Sequence, residues 1–357
     1  MSTSPAHQTR LVKSSSSSPD ISLSSIPTSM PMAGAFVAGT DTVREYGREY
    51  GTFRREQYMM PHDDRERDRL DIMHTMLKVI RPPATRLTSC PTEMLEQPAD
   101  GPFGTSPRVL DLGCGTGIWM IDMAKLFPQA EFVGVDLQHM GPPSLPPNVS
   151  VRAHWDYETI WLLGERSWHL IHLQLSLGSV SDLLGLYQKI HRHLVPRVGW
   201  FEHVEIDFQP RCDDGTLQPG RLTEWWNLYI KPVYEEGKRP IHYDEARIRN
   251  SFHAAGFIDI QHEEYRLPLR GWTNHPDEQR AKAEQRAGLW WNIAQSSGPQ
   301  NTSAVGMEAM SLAPLCRYGG GWTEETVRRL CDEALQQASD PNVHAYNVLH
   351  IWRGRAP

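Results

Sequence analysis

Val109-Leu110-Asp111-Leu112-Gly113-Cys114-Gly115-Thr116-Gly117 passes from an apolar run broken by one acid into three alternating glycines, and the helical stretch Ile118 to Phe127 follows at once. A strand turning sharply into a helix reads this way. Glycine is needed where the backbone must take positive φ or approach a ligand too closely for a Cβ, and the first turn of the next helix offers free N–H groups to that ligand. Gly113, Gly115 and Gly117 fit that demand, with Cys114 and Thr116 between them.

A dinucleotide fold uses G-x-G-x-x-G to admit a pyrophosphate, but here the third glycine comes one residue early and Ile118 takes its place. The spacing favours S-adenosylmethionine over NAD. Asp111, awkward beside a pyrophosphate, suits a ligand whose methionine end bears an ammonium and whose sulfur is cationic. The next strand, Phe132 to Leu137, carries Asp136 about twenty residues past the glycines, where a carboxylate can accept both ribose hydroxyls. At the end of the third strand, His154-Trp155-Asp156-Tyr157 offers an acid for an adenine amine and aromatic faces for stacking. Gln174 ends the fourth strand at the sheet edge where ligands of open α/β folds bind, and joins the cofactor-side candidates Asp111, Gly113, Cys114, Gly115, Thr116, Gly117, Asp136, Leu137, Asp156 and Tyr157.

Outward from this segment, strand-like runs alternate with helical ones: Val149 to Trp155, His169 to Leu175, a helix from Asp182 to Leu194, then Trp200 to Ile206. Such alternation predicts a parallel sheet covered on both faces. Later come a helix from Leu222 that Pro232 should kink or end, another from Asp244 to Ala255, a strand over Ile258 to Leu267, helical inserts, and a last strand near Tyr346 to Trp352. On the other side, Leu70, Met73, Leu77 and Ile80 recur at helical spacing between Asp64 and Ile80, and the helix ends before Pro82-Pro83. The fold expected is a class I Rossmann-like α/β domain with seven strands, mostly parallel, the C-terminal one antiparallel, plus an N-terminal helical extension and late helical inserts. Its divisions are a Ser/Pro-rich disordered leader over 1–40, the extension over 41–100, the cofactor-binding core over 101–210, and a helical substrate cap with the final strands over 211–357.

Composition bounds the function. A net charge of -7 over 357 residues supplies no broad attraction for phosphate backbones, so direct nucleic-acid binding is not expected. Five scattered cysteines, never spaced C-x-x-C, signal neither disulfides nor zinc and suggest a reducing compartment. No apolar run is long enough for a signal peptide or membrane span. No N/D-P-P-Y tetrapeptide follows the fourth strand, which removes the constellation that holds a planar amine. Glu202 can steer a substrate or sit buried and satisfied. His172, His191, His193 and His203 lie near the site without an identifiable carboxylate partner or metal context, and the tryptophans, notably Trp225-Trp226 and Trp290-Trp291, read mainly as core. No catalytic residue is assigned.

Together these segments resemble the class I methyltransferases, and more narrowly the LaeA family of methyltransferase-like regulators of secondary metabolism in filamentous fungi. The stretches that carry the likeness are Asp68-Arg69-Leu70-Asp71-Ile72, the glycine segment with Ile118-Trp119, Trp168-His169-Leu170-Ile171-His172-Leu173-Gln174, Phe201 to Asp214, and His344 to Trp352. His169 departs from the acid more usual at its position. The resemblance covers the chain from about Tyr46 and implies a nuclear protein that joins velvet-family partners and influences secondary-metabolite gene clusters and development, including sporulation. Two functions are carried forward: an S-adenosylmethionine-dependent methyltransferase with an unknown acceptor, and a cofactor-binding scaffold whose methyl transfer is dispensable. The partner surface is expected on the N-terminal extension and outer helices, apart from the cofactor.

Overall fold

The computed structural model describes residues 42–83, 87–97, 106–296 and 304–357. The leader expected over 1–40 lies outside them, as do residues 41, 84–86, 98–105 and 297–303. The tetrapeptide Arg44-Glu45-Tyr46-Gly47 is repeated at once as Arg48-Glu49-Tyr50-Gly51, and the two copies fall in a hairpin, β1 (Thr42–Glu45) with β2 (Arg48–Gly51), whose two turn residues Tyr46 and Gly47 both have positive φ, as tight hairpins demand. Arg48, buried, donates from Nε and a terminal nitrogen to Asp63 at 2.6 and 2.8 Å. Asp63 in turn caps α1 (Asp64–Ile80) by accepting the Glu66 N–H at 3.0 Å, so one carboxylate starts the helix and fixes the hairpin to it. Met73, Met76, Leu77 and Ile80 form the buried stripe of α1.

The main sheet contains β3 (Arg108–Leu112), β4 (Glu131–Val135), β5 (Val149–Arg152), β6 (Leu170–Gln174), β7 (Trp200–Arg211), β8 (Ile258–Pro268) and β9 (Tyr346–Arg355), in the order β5-β4-β3-β6-β7-β9-β8. The pairs from β5 through β7 are parallel; β9 runs antiparallel to both its neighbours, as the sequence led us to expect of the C-terminal strand. From β3 the chain winds outward to β5 and then returns to β6 on the other side, so a crevice opens at the carboxyl ends of β3 and β6.

Alternating side chains serve the two faces. Leu110, Leu112, Ile171, Leu173 and Phe201 pack under α3 (Leu183–His193) and α6 (Glu245–Ala255), whereas Val109, Phe132 and Leu170 meet α2 (Ile118–Leu126). A third core joins α1 to Val204, Ile206, Leu349 and Ile351 and to the late helices α7 (Glu278–Gln295), α8 (Val305–Tyr318) and α9 (Glu324–Ala338).

Several boundaries differ from the sequence reading: β4 ends at Val135, so Asp136 follows the strand rather than lying on it, and β9 runs on to Arg355. β5 stops at Arg152 because His154 takes a φ of 55°, which turns the chain. β7 runs on to Arg211 because β9 keeps pairing with it as far as Tyr346. Pro232 does not end its helix: α4 (Arg221–Glu224) leads into a π-helical segment, Trp225–Ile230, and Pro232 falls in the first turn of α5 (Lys231–Glu236), where a missing N–H costs little.

Candidate functional site

Gly113, Gly115 and Gly117 have φ of 72°, 53° and 73°, left-handed values that other residues adopt only with strain. A Cβ on Gly113 would come no nearer than 3.5 Å to the Tyr157 ring, so conformation rather than crowding requires glycine there. Gly113 and Cys114 donate N–H bonds to the Val135 carbonyl, which anchors the loop to β4. Cys114 turns its thiol toward Gly134, where a Cβ would meet the sulfur at 2.7 Å, and burial pushes the thiol pKa up. Only the backbone of Cys114 is thus left for a ligand. The Thr116 hydroxyl donates to Asp71 on α1 at 2.7 Å, and Gly117 is the buried N-cap of α2, set back from the cavity that the other loop residues line.

That cavity encloses about 1540 Å³ of atom-free space including its open mouth, and lies over the carboxyl ends of β3, β4 and β6. Asp136 is at its wall. One of its oxygens accepts the Gly115 N–H at 2.7 Å and the other the Gln138 N–H at 3.2 Å, with the Leu137 N–H a further donor toward the carboxylate; the remaining lone pairs are open to a ligand. Burial pushes its pKa up to about 6, against the pull of those N–H groups. A vicinal diol is a neutral double donor of the spacing such a carboxylate accepts.

Asp111, on β3, also lines the cavity and takes a 2.8 Å hydrogen bond with Nδ1 of His172. Trp119 stacks on the His172 ring at 3.8 Å and 5°, fixing its orientation. The expectation that His172 and His203 lack carboxylate partners is therefore corrected: His172 meets Asp111 across the β3–β6 pairing, and His203 meets Glu205 at 2.8 Å. The first contact depends on strand register, which spacing along the chain does not reveal; the second joins positions i and i+2 of one strand, whose side chains share a face. Glu202 is wholly buried and outside the cavity lining; its Oε1 accepts from Arg81 at 2.9 Å and from the Ser89 N–H, while Oε2 takes no hydrogen bond among the described residues and lies 3.8 Å from Nε2 of His172, so it stands behind the Asp111–His172 pair.

Asp156 and Tyr157 stand at the rim. One Asp156 oxygen accepts the Glu158 N–H at 2.7 Å and the other pairs with Arg54 at 3.1 Å, while the Tyr157 hydroxyl bonds Ser179 at 2.9 Å and its ring overhangs Gly113. Leu137 and Gln174 are half-buried in the lining. The loop after β6 is held by Glu205, which accepts the N–H groups of Ser176 and Leu177 at 2.6 and 3.0 Å; this supports Leu175 at a φ of 54°.

Sequence reasoning missed the other half of the cavity. Arg54, Tyr58 and Met60 of the N-terminal extension, Arg69 on α1, and Tyr234, Arg239 and Met310 of the inserts all line it. The expected separation of the extension from the cofactor side does not hold for these residues. Arg69 lies in a stretch that carried the family likeness, and its partner Glu66, at 2.6 and 2.9 Å, stands at helical i,i+3 spacing, but its inward position had no signal in spacing. Arg239 joins three segments, donating to Glu158 at 2.7 Å, to the Ser179 carbonyl, and to Gln57 at 3.3 Å.

S-adenosylmethionine fits this donor set: a left-handed glycine turn, a carboxylate with open acceptor positions at the end of β4, and a second carboxylate at the end of β3 for a cationic methionine end. Among the described residues no helix is long and apolar enough to cross a membrane.

The chain is similar to known proteins of the methyltransferase class. Residues 71–262 match the family model described as a methyltransferase domain. The chain is 41% identical over 313 residues to the secondary metabolism regulator LAE1 of Cochliobolus heterostrophus, covering 88% of this chain and 94% of that protein. It is 40% identical over 318 residues to the secondary metabolism regulator laeA of Aspergillus fumigatus, covering 88% and 76%. The Emericella nidulans protein described as protein-methionine methyltransferase laeA is 40% identical over 313 residues, again covering 88% and 76%. Among solved structures, a geranyl diphosphate C-methyltransferase from Streptomyces coelicolor aligns at 13% identity and a TM-score of 0.39, covering 74% of this chain and 76% of that one.

Proposed function

The chain belongs to the LaeA family of methyltransferase-domain secondary metabolism regulators, and from that membership we propose that it methylates methionine side chains of protein acceptors in the nucleus, in company with velvet-family partners. The observation that carries the cofactor half of this reading is Asp136, desolvated at the cavity wall with one oxygen on the glycine turn and acceptor positions to spare.

S-adenosylmethionine, when bound, supplies an electrophilic methyl group on a cationic sulfur. Asp136 would accept the two ribose hydroxyls, Asp111 would draw the ammonium of the methionine end, and Tyr157 would lie against the adenine. His172 and Trp119 hold Asp111 in place, so that acid need not reorganise on binding. Beyond the glycine turn part of the wall is apolar and rich in sulfur and rings, with Met60, Phe208, Tyr234, Ile241 and Met310 beside the polar Gln57, Arg69 and Arg239. A thioether suits such a wall. It is a neutral nucleophile that needs no base; it takes the methyl with its own sulfur lone pair and becomes the new sulfonium, so charge passes from donor to acceptor and no proton moves. The work of the protein is then alignment and exclusion of water.

Nuclear action, velvet partners and a role in development and sporulation rest on family membership. The test is replacement of the chromosomal copy by Asp136→Asn. Loss of secondary-metabolite output with nuclear location and partner co-purification retained supports the enzymatic reading; full output from a variant unable to bind the cofactor would favour the scaffold.

A further inference from the structure

The outer strands carry a polar cluster that methyl transfer does not use. His262 and Glu264 alternate along β8 and so share a face, and pairing with β9 sets Glu264 directly opposite His350 and His262 opposite Trp352. Nε2 of His262 lies 3.0 Å from Nδ1 of His350, and Oε2 of Glu264 lies 4.0 Å from the same Nδ1. All three donor atoms fall within 4.8 Å of one another.

The rings are held before any ligand arrives. Tyr243 stacks on His350 at 3.7 Å and 7°, and Trp352 on His262 at 4.1 Å and 9°. Trp352 Nε1 donates to the Tyr243 hydroxyl at 2.9 Å, and that hydroxyl sits 3.4 Å from Nε2 of His262. The pair is clamped between two aromatic faces that are themselves hydrogen-bonded to each other.

We propose that His262, Glu264 and His350 form a binding site for a divalent cation of the zinc class, with a water or the Tyr243 oxygen as the fourth donor. Two imidazoles and one carboxylate are the donors such ions prefer, whereas calcium and magnesium select oxygen-rich sets. Metal–nitrogen bonds of about 2.0–2.1 Å in a tetrahedron put neighbouring donors about 3.3 Å apart. The two nitrogens need open by only a few tenths of an ångström. The carboxylate must close by more, which Glu264 can do because its side chain is 68% exposed. The cation would replace the one proton that the facing nitrogens share. Its consequence is structural: β8 is the edge strand of the sheet, and the ion would fasten it to β9. The spacing H-x-E with a distant histidine is no sequence motif, because the third ligand arrives through strand pairing. The inference is independent of the cofactor reading.

The experiment uses the full chain, stripped with a chelator and titrated with zinc(II) against a chromophoric competitor, with cobalt(II) as a reporter of tetrahedral geometry. One equivalent should bind, giving the visible bands of tetrahedral cobalt and a raised melting temperature with zinc. His350→Gln and Glu264→Gln should each weaken that equivalent by more than the roughly 10–100-fold that loss of a supporting residue costs, and His350→Gln should abolish the thermal shift. Glu264 is exposed, so its variant reports even where His350→Gln folds poorly. A parent that binds no equivalent, or a folded Glu264→Gln variant with parental affinity and the same cobalt spectrum, would overturn the proposal.

Discussion

Asp136→Asn removes a charge and keeps the shape, which separates cofactor binding from folding. In the ligand-free chain, burial raises the Asp136 pKa from 3.8 to about 6. At 1.36 kcal/mol per unit, keeping the ionised form at neutral pH costs the folded state up to about 3 kcal/mol. Because the folded value is the higher one, that cost is absent below about pH 3.8 and is incurred in full once the pH has risen through about 6. Asparagine escapes that cost. Its amide NH₂ must however face the N–H of Gly115 or of Gln138, both of which the carboxylate now accepts, at a penalty of about 1–3 kcal/mol. The two effects oppose, and stability at neutral pH should change by less than about 2 kcal/mol. Binding has no such compensation. Two hydroxyls donating to a carboxylate are worth about 1.5–3 kcal/mol each, and with about 1.4 kcal/mol per tenfold the variant should bind S-adenosylhomocysteine about 100-fold or more weaker. Calorimetry at pH 8 with urea melts alongside measures both quantities. A folded variant with parental affinity would refute the ribose role and return Asp136 to a support for the glycine turn.

The parent's affinity for S-adenosylhomocysteine should fall by about tenfold per unit below about pH 6 as Asp136 takes up a proton; a flat calorimetric profile from pH 5 to pH 8 would contradict this. Glu202→Ala leaves Arg81 buried without its acid and should cost about 3–5 kcal/mol in urea unfolding, while the folded fraction binds cofactor normally. A loss of affinity without a loss of stability would instead place Glu202 at the site. Gly113→Ala meets only an ordinary 3.5 Å contact with the Tyr157 ring but a φ of 72°, so it should cost about 1–2 kcal/mol of stability, and a neutral result would show that the loop relaxes. Arg54→Ala breaks a half-exposed pair with Asp156 and should change stability by under about 1 kcal/mol; a larger drop in thermal unfolding would mean that Arg54 fastens the extension over the cavity.

The half of the cavity built from consecutive residues was legible in the sequence. Gly113 to Gly117 and Asp136 are local signals, because a left-handed turn and a strand-end acid need particular residues at particular offsets, and the structure brings them together through the Gly115–Asp136 hydrogen bond. The seven-stranded sheet and its antiparallel last strand were legible for the same reason, since each strand announces itself by a short apolar run. The other half was not. Tyr58, Arg69, Arg239 and Met310 reach the cavity from segments far apart in the chain, and only packing decides that they converge. The Asp111–His172 and Glu202–Arg81 pairs are hidden likewise, being set by strand register and by the docking of α1 rather than by any spacing. Pro232 shows the limit of propensity: a helix breaker is accommodated once the preceding turn widens into a π-helix.

Methyl transfer to a methionine sulfur is the reaction proposed for this glycine turn and its two acids. Its most direct test incubates the purified chain with deuteromethyl S-adenosylmethionine and nuclear protein from cells lacking the chromosomal copy, then maps labelled peptides by mass spectrometry. The account predicts deuteromethyl groups on methionine, as a fixed sulfonium charge that no pH removes, and none with Asp136→Asn. Label confined to lysine, arginine or small molecules would contradict the proposed acceptor, and a chain that neither binds nor consumes the cofactor would contradict methyl transfer itself.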